Sequence, residues 1–137
     1  MAVQPDGTAR PEAAALVFKI VPAALWHEAE AAGRFTGAGV DVADGFIHFS
    51  TAAQIRDTAA KHFAGVTGLL LAAVDTGAIA AALRWEPSRG GDLFPHLYES
   101  LPIAAVRWTA PLPLGGDGRH DFPAALAGEG VRDDCDA

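Results

Sequence analysis

The order of elements in this chain predicts an α+β domain. Three observations carry that expectation. Helical patterns gather in the first half and strand patterns in the second, whereas a doubly wound sheet alternates them throughout. The run from Gly68 to Asp75, "GLLLAAVD", is short, apolar and bounded by turn residues, as a buried strand should be. Neither a Gly-x-Gly-x-x-Gly fingerprint nor a phosphate-loop lysine motif is present.

"LVFKIV" (Leu16 to Val21) reads as the first strand. Pro22 then suits the first turn of a helix, where its missing N–H costs nothing. That helix, "PAALWHEAEAAG", sets Leu25, Ala29 and Ala32 on one face, and Gly33 is its stop. "RFTGAGVDVADG" reads as a loop. "GFIHFSTAAQ" (Gly45 to Gln54) follows as a short apolar strand that turns at once into a helix start. Alternation places Phe46 and His48 on one face of it and Ile47 and Phe49 on the other.

Thr51 and Gln54 have the spacing of a capping box. Ala52, Ile55, Ala59 and Phe63 then form an apolar stripe, with Asp57 and Lys61 as an i,i+4 pair, and Gly65 ends the helix. After the Gly68–Asp75 strand, Thr76 caps a short helix in "TGAIAAAL". "LRWEP" is a short strand and "SRGGD" (Ser88 to Asp92) a loop. "FPHLY" and "AAVRWTAPLPL" are late strands whose prolines favour an edge. The pattern predicts that Leu16–Val21, Gly45–Phe49 and Gly68–Asp75 pair in one core sheet. The helix beginning near Thr51 should pack on it through Ile55 and Phe63.

With 137 residues, 50% of them hydrophobic, the chain suits one domain, spanning residues 16–123. Residues 1–15 have no apolar period and read as a disordered extension; residues 124–137 read as an acidic one that buries little. The net charge of −7 is unevenly spread. Residues 16–123 carry eight basic and eleven acidic groups, and the extensions two and six. A core so mildly acidic disfavours a broad nucleic-acid surface, while a small phosphorylated ligand needs only a few local donors. The single cysteine, Cys135, allows no internal disulfide, and no apolar run is long enough to span a bilayer. A cytoplasmic location is expected.

None of the histidines, His27, His48, His62, His96 and His120, makes a metal-binding spacing, and no metal is expected. His48 admits two readings: a hydrogen-bonded, half-buried structural residue, or a ligand group. Ser50 and Thr51 bring hydroxyls and helix-start N–H groups beside it, a natural anion site, or else a plain cap. Arg89, Gly90 and Gly91 could wrap a phosphate, or form an ordinary exposed loop. His96 and Tyr98 alternate onto one face, which suits a flat ring ligand or simple edge packing.

"FKIVPAALWHEAEAAGRFTG", "DGFIHFSTAAQ" and "GDLFPHLYESLPIAAV" together resemble the bacterial family known as domain of unknown function 952, from about Phe18 to Phe122. That family is similar in fold to the ADP-ribosyltransferase-like superfamily. The resemblance implies a small, split, mostly antiparallel sheet with two main helices and a cleft that binds NAD. It implies a nucleotide-binding domain, with ADP-ribosyl transfer or NAD glycohydrolysis as the reaction. The alternative is a non-catalytic nucleotide-sensing or interaction module. Relatives read "YHI" in the first strand, with a histidine that meets the nicotinamide-side ribose. This chain reads "FKI", so Lys19 stands there. "IHFST" resembles the second motif, which sets His48 beside the nicotinamide ring. No residue aligns with the superfamily's catalytic glutamate, though Glu86 and Glu99 lie in the right half. The candidate catalytic residues, from the resemblance and the residue pattern together, are His48, Lys19 and Tyr98. Those for NAD are Lys19, His48, Ser50, Thr51, Arg89, Gly90, His96 and Tyr98.

Overall fold

The computed structural model describes residues 15–88 and 91–126. In chain order it contains β1 (Leu16–Pro22), α1 (Ala23–Ala32), β2 (Arg34–Phe35), α2 (Val40–Asp44), β3 (Ile47–His48) and α3 (Ile55–His62). Then follow β4 (Leu69–Asp75), β5 (Leu83–Ser88), β6 (Asp92–Leu97), β7 (Leu101–Pro102) and β8 (Val106–Pro111). Every pairing is antiparallel, in sheets ordered β1-β4-β8, β3-β6-β5 and β2-β7. The class is α+β.

Apart from Lys19, β1 and β4 are apolar on both faces because both faces are covered. Val17, Val21, Leu70, Ala72 and Val74 meet Trp26 and Ala29 of α1, with Ile47 and Leu97 of the second sheet. On the opposite face Phe18, Ile20, Leu71 and Ala73 meet Ile55 and Ala59 of α3, with Leu112 and Leu126. Phe63 packs against this second cluster as expected. Leu126, 1% exposed, extends the core past residue 123, although it falls in the extension expected to bury little. Residues 1–14 and 127–137 lie outside the described residues.

The chain departs from expectation at several places, one of them β6, which is the central strand of its sheet although Pro95 favours an edge. Gly45–Phe49 does not join the sheet of β1 and β4. Only Ile47 and His48 form a strand, paired with β6, because Ser50 crosses to β1 and Thr51 already begins a turn. Phe18 and Ser50 exchange both backbone bonds, at 2.7 and 2.9 Å, and this bridge stitches the two larger sheets together. The stretch read as a loop, "RFTGAGVDVADG", contains β2 and α2. Gly37 (φ 116°) is required there, since a Cβ would stand 2.9 Å from the Asp41 Cβ. Asp75, not Thr76, caps the short 3-10 turn, accepting the Gly77 N–H at 2.9 Å. On α1 the buried pair is Trp26 and Ala29, with Ala32 exposed.

The capping box forms. The Thr51 N–H donates to Gln54 Oε1 at 3.0 Å and the Gln54 N–H to Thr51 Oγ1 at 3.2 Å, one turn ahead of α3. Among the described residues no helix is long and apolar enough to cross a membrane.

Candidate functional site

Beyond the Phe18–Ser50 bridge the two larger sheets part. The gap is a cleft of about 490 Å³, with α3 on one side and β6 on the other. Phe18, Phe63 and Phe94 make its walls apolar, and Lys19, His48, Ser50 and His96 bring it polar groups.

Asp41 organises one end. α2 is a single short helix whose first turn holds this carboxylate inward, with a side chain only 1% exposed. Its oxygens accept from Lys19 Nζ at 2.9 and 3.1 Å, from the Ala38 N–H at 2.9 Å and from the His48 N–H at 3.0 Å. His48 Nδ1 lies 2.7 Å from it. Burial works to raise the Asp41 carboxyl, but the His48 hydrogen bond, the Lys19 charge and the two N–H donors outweigh it and hold it at about 2. Burial lowers the Lys19 ammonium, and Asp41 opposes that effect. Lys19 Nζ also donates to the His48 carbonyl at 3.0 Å. His48 Nε2 lies 3.0 Å from Asp44. Both ring nitrogens of His48 are thus held by aspartates.

The β3-β6-β5 sheet builds the other end. Its register sets His48 opposite His96, and His96 opposite Arg84. Glu86, two residues along β5, reaches His96 Nδ1 at 2.7 Å and accepts the Tyr98 O–H at 2.7 Å. These hydrogen bonds, that of His96 first, hold the Glu86 carboxyl below its ordinary range and raise the Tyr98 hydroxyl. Phe46 ties the rings together, with its centroid 4.2 Å from His96, 4.5 Å from His48 and 5.1 Å from Tyr98.

Of the residues singled out from sequence, Lys19, His48, Ser50 and His96 line one cleft. Tyr98, 42% exposed, stands outside its lining and joins the cluster through Phe46 and Glu86. Thr51 is occupied by the capping box. The Ser50 N–H donates to the Phe18 carbonyl and its Oγ pairs with Thr58 Oγ1 at 2.8 Å. The Ser50 and Thr51 N–H groups expected to help hold an anion beside His48 are therefore already satisfied within the protein. Arg89 and Gly90 lie outside the described residues.

Asp41 and Asp44 escaped the sequence reading because their segment passed as a loop. Glu86 had a usable signal. The antiparallel register of β5 and β6 pairs residue 86 with 94 and 84 with 96, which sets Glu86 diagonally across from His96.

A small α+β domain with parted antiparallel sheets and a histidine–carboxylate cleft defines the class. The family model described as "Protein of unknown function (DUF952)" matches residues 20–109, and the chain belongs to that family. It is similar to protein CC0527 from Caulobacter crescentus, known from a crystal structure, at 46% sequence identity and TM-score 0.78. That match covers 82% of this chain and 98% of the other. The solution NMR structure of the same protein matches with TM-score 0.74. No functionally curated protein matches.

Proposed function

We propose that the cleft binds a nucleotide of the NAD class, with cleavage of the nicotinamide–ribose bond as its reaction. One observation carries this reading. Because Phe18 directs its N–H and C=O to Ser50, Ile20, two residues on, directs its own pair to the same side, away from β4. Ile20 lines the cleft, and its backbone pair has no partner among the described residues. Pro22, two residues further, has no N–H to offer. The open edge is thus one residue long, too short for an added peptide strand. It matches a primary carboxamide, whose oxygen would accept from the Ile20 N–H and whose NH₂ would donate to the Ile20 carbonyl.

The surroundings support a ring bearing that group. Phe18 and Phe94 supply apolar walls, and the Phe46–His96 stack extends a flat aromatic surface. Cleavage builds positive charge on the ribose. Lys19 would oppose that charge if free, but Asp41 neutralises it, while Asp44 and Glu86 add negative charge. A second reading, nucleotide binding without turnover, is favoured by Lys19 itself. It occupies the family's histidine position with its ammonium already bound to Asp41 and the His48 carbonyl.

Calorimetry and thermal shift against NAD, ADP-ribose, nicotinamide and inorganic phosphate test the proposal. NAD and ADP-ribose should bind, and a ligand at 100 times its Kd should add about 2.7 kcal/mol of stability. Binding of phosphate alone, or of none of the panel, would refute it.

A further inference from the structure

The two histidines of the cleft differ in one respect that bears on chemistry. His48 has both ring nitrogens beside aspartates, Nδ1 at 2.7 Å from Asp41 and Nε2 at 3.0 Å from Asp44. His96 has only Nδ1 engaged, at 2.7 Å from Glu86. The His96 side chain is 7% exposed and lines the cleft, and its Nε2 meets no partner among the described residues. Glu86 accepts from both His96 and Tyr98, and those bonds hold its carboxyl below the ordinary range. It is therefore an anion at neutral pH with no proton to give. The shared proton sits on His96 Nδ1, which leaves Nε2 as a bare lone pair in the neutral ring.

We propose that His96, and not His48, moves the proton in this cleft, as a general base whose Nε2 deprotonates a water or hydroxyl nucleophile. The proposal rests on the nucleotide reading above. In the hydrolytic case the water oxygen bonds to ribose C1′. The C1′–N bond breaks, its electron pair stays on the ring nitrogen, and nicotinamide leaves neutral. The water proton passes to Nε2 and from there to solvent, so the products are ADP-ribose, nicotinamide and one proton. Glu86 and Tyr98 are positioning residues. Glu86 fixes the tautomer and meets the charge that forms on the ring, and Tyr98 fixes Glu86. Phe46, stacked at 4.2 Å, holds the ring plane.

The test measures nicotinamide release from NAD by the full chain and its variants, beside calorimetric binding of ADP-ribose. His96→Gln should bind ADP-ribose within about threefold of wild type and lose on the order of a hundredfold in kcat. Imidazole added to His96→Ala should restore part of the turnover. Glu86→Gln alters a half-exposed side chain and guards against a folding failure at position 96. It should lower kcat about tenfold with KM unchanged, a split that a merely structural role would not give. A kcat fall below about tenfold in folded His96→Gln overturns the proposal and leaves the nucleotide reading standing. So does wild-type protein that binds ADP-ribose but releases no nicotinamide. Wild-type protein that binds neither NAD nor ADP-ribose overturns both.

Discussion

Replacing Asp41 by Asn keeps the side chain's shape and removes its charge, which isolates what the buried carboxylate does. Asp41 is 1% exposed at its side chain and Lys19 9%. The carboxylate accepts from Lys19, from the Ala38 and His48 N–H groups and from the His48 ring. An asparagine keeps one accepting oxygen and turns an NH₂ toward groups that are themselves donors. Lys19 would remain buried with the His48 carbonyl as its other partner. Removing one member of a buried ion pair costs about 3–5 kcal/mol, because the remaining charge is uncompensated. Hydrogen bonds lost in the same change are part of that figure and do not add to it. Urea unfolding of wild type, Asp41→Asn, Lys19→Met and the double variant measures the effect, read from midpoints at constant m. Lys19→Met removes the ammonium, so the double variant should recover about 1–3 kcal/mol relative to Asp41→Asn. A loss below about 1 kcal/mol in Asp41→Asn, or strictly additive losses, would refute the buried pair.

Further outcomes follow from the same contacts. Ile55→Ala should cost about 2–4 kcal/mol in urea unfolding, since Ile55 is 1% exposed between α3 and the β1-β4-β8 sheet; less than about 0.5 would mean that α3 faces water. Leu126→Ala should cost a similar ~2–4 kcal/mol, and a neutral result would detach the 124–126 turn from the core. The Asp41 carboxyl sits at about 2 in the fold against 3.8 for the free group. A depressed carboxylate stabilises the fold above its unfolded value and loses that contribution as pH falls through the folded one. Wild type should therefore lose roughly 2 kcal/mol between about pH 5 and about pH 2 that Asp41→Asn does not lose, and parallel acid limbs would contradict the assignment.

Much of the fold was legible because local signals and packing agree. β1, apart from Lys19, and β4 are apolar on both faces and become buried on both. The Thr51–Gln54 box forms as its spacing implies. What was hidden is long-range. β3 joins its sheet through two residue pairs with β6, and one backbone bridge, Phe18 to Ser50, ties that sheet to β1; no local pattern encodes either. At the site, His48 and His96 were visible as histidines inside apolar strands. Their partners were not, since Asp41 lies on a five-residue helix between glycine turns and Glu86 meets His96 only through hairpin register. The satisfied helix-start donors show the limit of motif reading. Ser50 and Thr51 have the chemistry of an anion site, but the bridge and the capping box take up their N–H groups.

The cleft at the open edge of β1 is the central claim, and an amide NMR titration of the full chain with NAD and ADP-ribose tests it most directly. Ile20, Ser50 and His96 should shift together and saturably, with the Ile20 N–H moving downfield under NAD, the ligand that carries the carboxamide. Gly118 and Arg119, in the separate groove between α3 and the 115–122 turn, should stay in place. Shifts gathered at Gly118 and Arg119, or an unmoved Ile20 N–H at saturating NAD, would contradict the account.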